Sequence, residues 1–319
     1  MKTGIFTILL LGLASTAWAQ DQQVGARTKA MGGSYTAFED DPVSVFLNPA
    51  GIATQADQLT ISYQTYTAYP KKENRIFEDD TEISVEAESG LADPAFLPSY
   101  LGAVFQLGDP ESPMALGLCF ARPYHLHYTF DELENPSTNT FNPDSDMDQA
   151  LGRFRAAFAY DFRFRKTGEA GFLTHLALGL GLDVGFVQWN FSGETRNESD
   201  TSTGFGFGSG LLLGLYDNTE NFKVNLGLAY HSGIQFDFSI SPNILPSFDM
   251  PQQINAGMTF YLLEGTPLRI TTDFQWIDWS ETAEKPSATF PLKGFDDALN
   301  FSMGMEYRVQ VSEKVFLYP

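Results

Sequence analysis

The sequence predicts an all-β protein, a transmembrane antiparallel β-barrel with a small N-terminal helical hatch. Three observations support this prediction. Apolar and polar residues alternate along strand-length runs, and long and short connections alternate between those runs. After the N-terminus there is no apolar run of about 18 residues, so a helical membrane protein is excluded.

The N-terminus predicts export. Lys2 precedes an apolar run over residues 4–14, which is too short to anchor the chain in a membrane. Ala17-Trp18-Ala19 fits a signal-peptidase site, and no cysteine follows it as a lipoprotein would require. We therefore expect residues 1–19 to be a signal peptide, cleaved near Ala19, and the mature protein to reach the outer membrane of a Gram-negative cell.

Period-two alternation predicts eleven strands after about residue 57. They are expected near 58–69, 99–107, 114–123, 151–165, 173–190, 203–216, 221–232, 252–263, 267–279, 298–309 and 313–319. One face of each strand is apolar, and the other carries glycine and polar residues. In a soluble sandwich the apolar face points into a core, whereas in a membrane barrel it meets lipid. Strand length, the inner glycines and aromatic residues near strand ends, such as Tyr63, Trp189 and Tyr261, favour the barrel.

The connections follow the same logic. Those after odd-numbered strands are long, at about 70–98, 124–150, 191–202, 233–251 and 280–297. Those after even-numbered strands are short, at 108–113, 166–172, 217–220, 264–266 and 310–312. A membrane barrel has this rhythm because its short turns face the periplasm and its long loops face outside. A soluble sandwich has no reason to keep it through ten connections.

The strand count predicts a C-terminal truncation. Bacterial single-chain barrels have an even number of strands, whereas eleven is odd, and the chain ends within the strand that contains residues 315–319. We expect residues 20–56 to form the hatch and residues 57–319 to form a barrel that is incomplete at its C-terminus.

Composition excludes several functions. A net charge of -21, from 40 acidic and 19 basic residues, repels nucleic acid. The lone Cys119 allows no internal disulfide. The acidic run at Asp144, Asp146 and Asp148 lacks the glycine and glutamate of a calcium loop. The histidines lack metal-ligand spacing; they are His125, His127, His175 and His231. We expect no catalytic residues, no metal site, no cofactor and no enzyme activity.

Residues 24–54 predict a compact element that folds into the barrel. Asp41 is placed to cap a short helix with Pro42 at its first position, and Asn48-Pro49 is placed to end it. The segment is rich in apolar residues, which favours an inward plug over a solvated periplasmic tail.

The pattern M-G-G-x-x-x-A-x-x-D-D-P-x-x-x-x-x-N-P-A-G over residues 31–51 resembles the N-terminal signature of the FadL/OmpP1/TodX outer-membrane transport family. Residues 222–238 and 250–281 resemble strands of the same family. The candidate hatch residues in this motif are Met31, Gly32, Gly33, Asp40, Asp41, Pro42, Asn48, Pro49, Ala50 and Gly51. The resemblance implies a fourteen-stranded barrel plugged by an N-terminal hatch, which agrees with about three missing strands.

The resemblance also implies a function. Channels of this family pass long-chain fatty acids, aromatic hydrocarbons or similar compounds, so we expect passive uptake of a hydrophobic small molecule. The expected surroundings are outer-membrane lipid and lipopolysaccharide, and the expected state is a monomer. Release follows a shift of the hatch or a sideways opening of the wall.

Charges on the non-lipid face are candidate lumen residues. Arg153, Arg155, Arg163 and Arg165 either bind a ligand carboxylate or pair with Asp161, Asp183 and Glu306. Internal pairing is the favoured interpretation, because barrel lumens are generally polar.

Two other functions compete. Barrels that resemble PorV, a component of the type IX protein secretion system, share the fold and a similar N-terminal motif but bind protein partners. An apolar pocket beneath the long loops would favour solute transport, and a wide polar channel would favour protein traffic. An outer-membrane lipase or protease would need a catalytic set that the sequence lacks.

Overall fold

The computed structural model describes most of the chain from residue 24 onwards. The described residues are 24–38, 40–63, 73–78, 81–86, 98–109, 112–130, 133–135, 140–142, 145–165, 169–193, 197–218, 221–237, 249–262, 267–280, 296–312 and 315–317. The predicted signal peptide lies outside them, as do the side chains of the acidic run at 144–148. No helix within the described ranges is long and apolar enough to cross a membrane.

Ten antiparallel strands form one sheet in which each strand pairs with the next one in the chain. Their bounds are β1 Gln58–Ser62, β4 Tyr100–Gln106, β5 Met114–Phe130, β8 Ser145–Arg163, β9 Gly171–Gly193, β10 Asn197–Asp217, β11 Phe222–His231, β12 Gln253–Leu262, β13 Leu268–Ile277 and β14 Ala298–Tyr307. Each corresponds to one of the first ten predicted strands, although several bounds differ, and residues 64–69 of the first predicted strand lie outside the described ones.

The exposed face of this sheet is the apolar one. Along β9, Leu180 and Leu182 are 56% and 67% exposed, whereas Asp183, on the other face, is 2% exposed. On β10, Phe205 is 77% exposed. A sandwich would bury these side chains, so the exposed apolar face favours the interpretation in which it meets lipid.

The central strands are longer than predicted. Strands β8, β9 and β10 have 19, 23 and 21 residues, so the connection expected at 191–202 is reduced to 194–196. A tilted strand needs only about 9–11 residues to cross a membrane, so these three strands are longer than a crossing requires. Two of the expected surface aromatics are also misplaced. Trp189 and Tyr261 are 2% and 4% exposed, because they lie on the inner face, whereas Tyr63 is 67% exposed.

The remaining strands form three separate hairpins. Two lie in long connections and were not predicted, namely β2 Glu73–Glu78 with β3 Thr81–Glu86, and β6 Leu133–Asn135 with β7 Thr140–Asn142. The third joins β15 Val309–Ser312 to β16 Val315–Leu317. The eleventh predicted strand therefore pairs back on the chain and does not extend the ten-stranded sheet.

The N-terminal segment, residues 24–38 and 40–55, lies against the inner face of the sheet. It contains α1 Ala26–Ala30, α2 Ser44–Leu47 and a 3-10 helix, Pro49–Ile52. It contacts both end strands, because Ala26 N donates to Ser62 Oγ on β1 at 2.9 Å and Arg27 binds Glu306 on β14. The sheet thus curls around the segment, and the main apolar core lies between them.

Candidate functional site

The inner face of the sheet and the N-terminal segment enclose the candidate site. Every second residue of β9 faces inward, so these residues give the order of the layers inside the sheet. From the long-connection end, Val187 and Gly185 face an apolar plug, Asp183 lies in a charged layer, and Gly179 faces the Pro49-Ala50 backbone.

The glycines of the N-terminal motif allow close approach to the wall. Gly32 and Gly33 have φ angles of +64° and +88°, a region that favours glycine. A side chain at Gly32 would meet the carbonyl oxygen of Met303, and one at Gly304 would meet the Met31 backbone. These positions thus keep the turn at residues 31–33 against β14.

Asn48 joins the segment to the wall. Its Nδ2 donates to the carbonyls of Thr36, at 2.6 Å, and Leu211, at 3.2 Å, and its Oδ1 accepts from Ala50 N at 3.1 Å. Gly210 leaves room for it, because a Cβ there would collide with Asn48 Oδ1. Asn48 also ends α2, as predicted, and starts the 3-10 helix with Pro49.

Asp41 and Pro42 brace the turn before α2. Asp41 Oδ1 accepts from Val43 N at 2.9 Å, and Tyr35 donates its hydroxyl to Asp41 Oδ2 at 3.0 Å. The carbonyl of Pro42 accepts from the Tyr100 hydroxyl at 2.6 Å. The prediction that Asp41 caps the helix with Pro42 at its first position is wrong, because the helix begins at Ser44 and its N-cap, Val43, has no side-chain cap. Asp41 instead braces the turn that precedes the helix.

An ionic network, which we call the Arg27 network, links the segment to β13 and β14. Arg27 donates to both carboxylate oxygens of Glu306, at 2.7 and 2.6 Å, and to Asp40 at 3.2 Å. Arg269 binds Asp40 and also Glu306, the latter at 3.4 Å. With Asp41 at 3.5 Å from Arg27, the network contains two arginines and three carboxylates.

The Arg27 network fixes protonation states in the segment. Burial by itself raises the pKa of Asp40, but Arg27 and Arg269 outweigh it and hold that pKa below its usual value. Burial, together with the charge of Asp41, raises the pKa of Tyr35 well above its usual value. Asp40 is therefore ionised and Tyr35 is neutral at physiological pH.

A second cluster, the Asp183 cluster, lies above the segment. Arg155 donates to both oxygens of Asp183, at 2.6 and 2.7 Å, and Arg153 also binds Asp183. Arg155 further donates to the carbonyl of Phe46, and both guanidinium groups lie over the Phe46 ring. The three charged residues are at most 2% exposed, so one positive charge is buried in excess.

His231 completes the Asp183 cluster. Its Nδ1 lies 3.0 Å from Arg155 Nη2, and its Nε2 lies 3.0 Å from the carbonyl of Leu47. The Nδ1 therefore accepts and the Nε2 donates, which is the neutral tautomer. The cluster thus holds α2 through two backbone carbonyls.

The other predicted lumen charges lie nearer the short turns. Asp161 binds Arg163 at 3.2 Å and His175 at 2.9 Å. The prediction that Arg165 faces the lumen is wrong. Strand β8 ends at Arg163, so Arg165 is exposed in the turn, where it donates to the carbonyl of Phe172. Glu306 pairs with Arg27 and Arg269 and not with the β8 arginines.

An apolar cluster, which we call the apolar plug, lies on the inner face of the sheet toward the long-connection end. It consists of Ile234, Phe236 and Met250, which pack against Leu151 and Val187 with exposures of 0–2%. Backbone bonds between Ile234 and Met250, at 3.1 and 2.8 Å, fix the plug as a short bridge. Glycines in the sheet leave room for the plug, because side chains at Gly185, Gly204 or Gly206 would meet Ile234 or Phe236.

Several of these residues were not singled out by sequence reasoning. The sequence pattern that could have indicated the plug is the alternation of apolar and polar residues in Ile234-Gln235-Phe236, within a loop that faces a glycine-rich strand. Asp273, which anchors the segment from β13, was visible only as a lone acid on the inner face of its strand. Its partners, and those of Arg27, are far away in the chain and were not predictable.

Solved structures share this fold. The match to the toluene transporter TbuX of Ralstonia pickettii has a TM-score of 0.57 at 16% identity, and it covers 90% of this chain and 82% of TbuX. A FadL homologue of Pseudomonas aeruginosa matches with a TM-score of 0.50 at 14% identity, over 89% of this chain and 76% of the homologue. A TodX mutant, described as a monoaromatic hydrocarbon channel, matches with a TM-score of 0.50 at 13% identity, over 90% and 80%.

No family model matches the sequence, and no curated protein matches it. At such identities the likeness to the solved structures concerns the fold. The predicted fold class is confirmed, and the chain has the β-barrel fold of the FadL and TodX transport proteins.

Proposed function

We propose that this protein is an outer-membrane channel for the passive uptake of hydrophobic compounds. The observation that carries the proposal is the apolar plug, a buried cluster of apolar side chains on the inner face of a barrel whose outer face is also apolar. The proposal includes export through cleavage of residues 1–19. It also includes a hatch formed by residues 20–56, which carry the motif from Met31 to Gly51, and a barrel formed by residues 57–319.

The apolar plug supports solute transport over protein secretion. The described part of the lumen offers no wide channel, since the N-terminal segment fills one end and the plug fills the other. A small apolar solute can replace Phe236 and Ile234 in contact with Leu151 and Val187, because it presents the same kind of surface. A translocating protein would need a far larger opening.

The solute then reaches the Asp183 cluster and the N-terminal segment. Arg155 and His231 form their hydrogen bonds to the segment at the carbonyls of Phe46 and Leu47, and water or a solute headgroup can replace those bonds. Passage ends with a shift of the segment or a sideways opening of the wall. A concentration gradient drives each step.

The proposal is tested by the molecules that co-purify with the protein. The full-length chain is extracted from outer membranes in mild detergent, and bound lipids and hydrocarbons are quantified by mass spectrometry. We expect hydrophobic compounds in the wild type and a larger amount in Phe236→Ala, because loss of the ring opens space within the apolar plug. Phe274→Ala is the matched control, because Phe274 lies on the outer face and is 49% exposed. Equal amounts in all three, at the level of the detergent blank, would contradict the proposal.

A further inference from the structure

A β-bulge at the start of β9 exposes two neighbouring apolar side chains beside the short turn between β8 and β9. The register of β9 with β10 shifts here, so Leu173 and Thr174 stand opposite the single Leu215. Leu173 has a φ of +51°, and it is the only non-glycine residue with a positive φ in the described ranges. Phe172 and Leu173 are 67% and 50% exposed. Regular alternation would turn only one of the two outward.

Phe172 ends a row of rings that crosses four strands. Its ring centroid lies 4.8 Å from that of Tyr216 on β10, which lies 5.9 Å from that of Phe222 on β11. The Phe222 centroid lies in turn 6.5 Å from that of Phe260 on β12. Each of these residues is within three positions of the end of its strand at a short turn. The row therefore follows the short-turn rim of the sheet.

This rim is one boundary of the apolar band on the outer face. Along β9, Leu178 and Leu182 are exposed within the band, and the exposed Gln188 lies beyond it on the long-connection side. On the other side of Phe172, the short turn exposes Glu169. Polar surface thus begins immediately beyond the bulge, at the level where lipid headgroups meet acyl chains and where membrane barrels carry aromatic residues.

We propose that Phe172 and Leu173 anchor the barrel in the phospholipid leaflet at the short-turn end, with both side chains among the acyl chains just below the headgroups. The anchor rests on the membrane location that is part of the proposed function. In water, the disfavoured φ of Leu173 and the two exposed apolar side chains would have nothing to offset them. Acyl chains provide the missing apolar contact, and the bulge adds a second side chain to the one that a regular strand would present.

The test measures where a nitroxide spin label at the bulge lies in the membrane. The full-length protein is reconstituted in phospholipid vesicles, and Cys119→Ala removes the buried native thiol so that labels attach only at an introduced cysteine. Leu173→Cys is the test site. Leu180→Cys is the control within the apolar band, and Glu169→Cys is the control in the turn. We expect the labels at 173 and 180 to collide with dissolved oxygen more than with a water-soluble nickel chelate, with the smaller ratio at 173. The label at 169 should show the reverse preference.

The outcomes separate the anchor from the membrane location. A label at 173 that meets the nickel chelate as often as the label at 169, while the label at 180 is protected, would overturn the anchor alone. A label at 180 that also meets the chelate would overturn the membrane location on which the anchor depends. Phe172→Trp gives a second measurement that keeps a large ring at the site. Its added fluorescence, relative to the wild type, should be quenched more by phospholipids brominated near the headgroup than by those brominated near the chain end. Absence of quenching by both would contradict the proposal.

Discussion

Replacement of Asp183 by asparagine tests the charged layer of the lumen. Asp183 is the only carboxylate bound by Arg153 and Arg155 in the described structure, and all three are buried. Asparagine keeps the shape of the side chain but removes its charge, and it turns one acceptor oxygen into a donor. Both arginines then keep their charges without a carboxylate partner.

The magnitude follows from three charge-assisted hydrogen bonds, two from Arg155 and one from Arg153. Removing one partner of a buried ion pair costs about 3–5 kcal/mol, because the remaining charge is left uncompensated. We expect the free energy of unfolding to fall by that amount in Asp183→Asn. Arg153→Met should cost less, since it removes the excess positive charge and leaves Arg155 paired with Asp183.

Urea unfolding in detergent micelles, followed by tryptophan fluorescence, measures both variants against the wild type. An unchanged m-value would show that the shift in midpoint reports stability. The reasoning would be refuted if Asp183→Asn lay within about 0.5 kcal/mol of the wild type, which is typical of surface substitutions. It would also be refuted if Arg153→Met were the more damaging of the two.

Three other predictions concern the plug, the Arg27 network and the outer face. Phe236→Ala should accelerate solute uptake into outer-membrane vesicles, because it empties part of the plug, whereas Phe274→Ala should not. Asp40 has a lowered pKa, so its contribution to stability is present above about pH 3.9 and is lost as pH falls through its folded pKa. The thermal unfolding midpoint, measured from pH 3 to 7, should fall at acid pH in the wild type and should fall less in Asp40→Asn. Leu180→Arg places a charge in lipid and should cost about 2–4 kcal/mol, against about 0–1 for Thr201→Arg in the polar start of β10, as measured by unfolding in lipid vesicles.

The sequence was sufficient for the ten-stranded sheet because lipid on one side and a packed lumen on the other impose strict alternation. It was insufficient where that constraint ends. Strands β8 to β10 continue beyond the alternating runs, and the added part of β10, Asn197-Glu198-Ser199-Asp200-Thr201-Ser202, is polar on both faces, so it looked like a loop. Trp189 and Tyr261 looked like interfacial aromatics because they lie near strand ends, although the alternation of their strands already places both on the inner face, where the structure buries them.

For the candidate site, the sequence predicted the short helix after Asp41 and its end at Asn48, both of which depend on neighbouring residues. Pairing of Arg155 with Asp183 was open to prediction, because they lie on adjacent strands and directly opposite each other. The contacts of Arg27 with Glu306 and of Thr36 with Asp273 join residues more than 200 positions apart, and no local pattern encodes them.

The central claim is passive passage of hydrophobic compounds, and uptake by whole cells tests it most directly. A Gram-negative strain without its own hydrophobic-compound channel expresses the full-length protein, and accumulation of labelled toluene and of a labelled long-chain fatty acid is compared with the empty strain. A hydrophilic sugar of similar mass serves as the control solute. The account predicts faster accumulation of at least one hydrophobic compound with no change for the sugar. Accumulation equal to that of the empty strain, or an equal increase for the sugar, would contradict it.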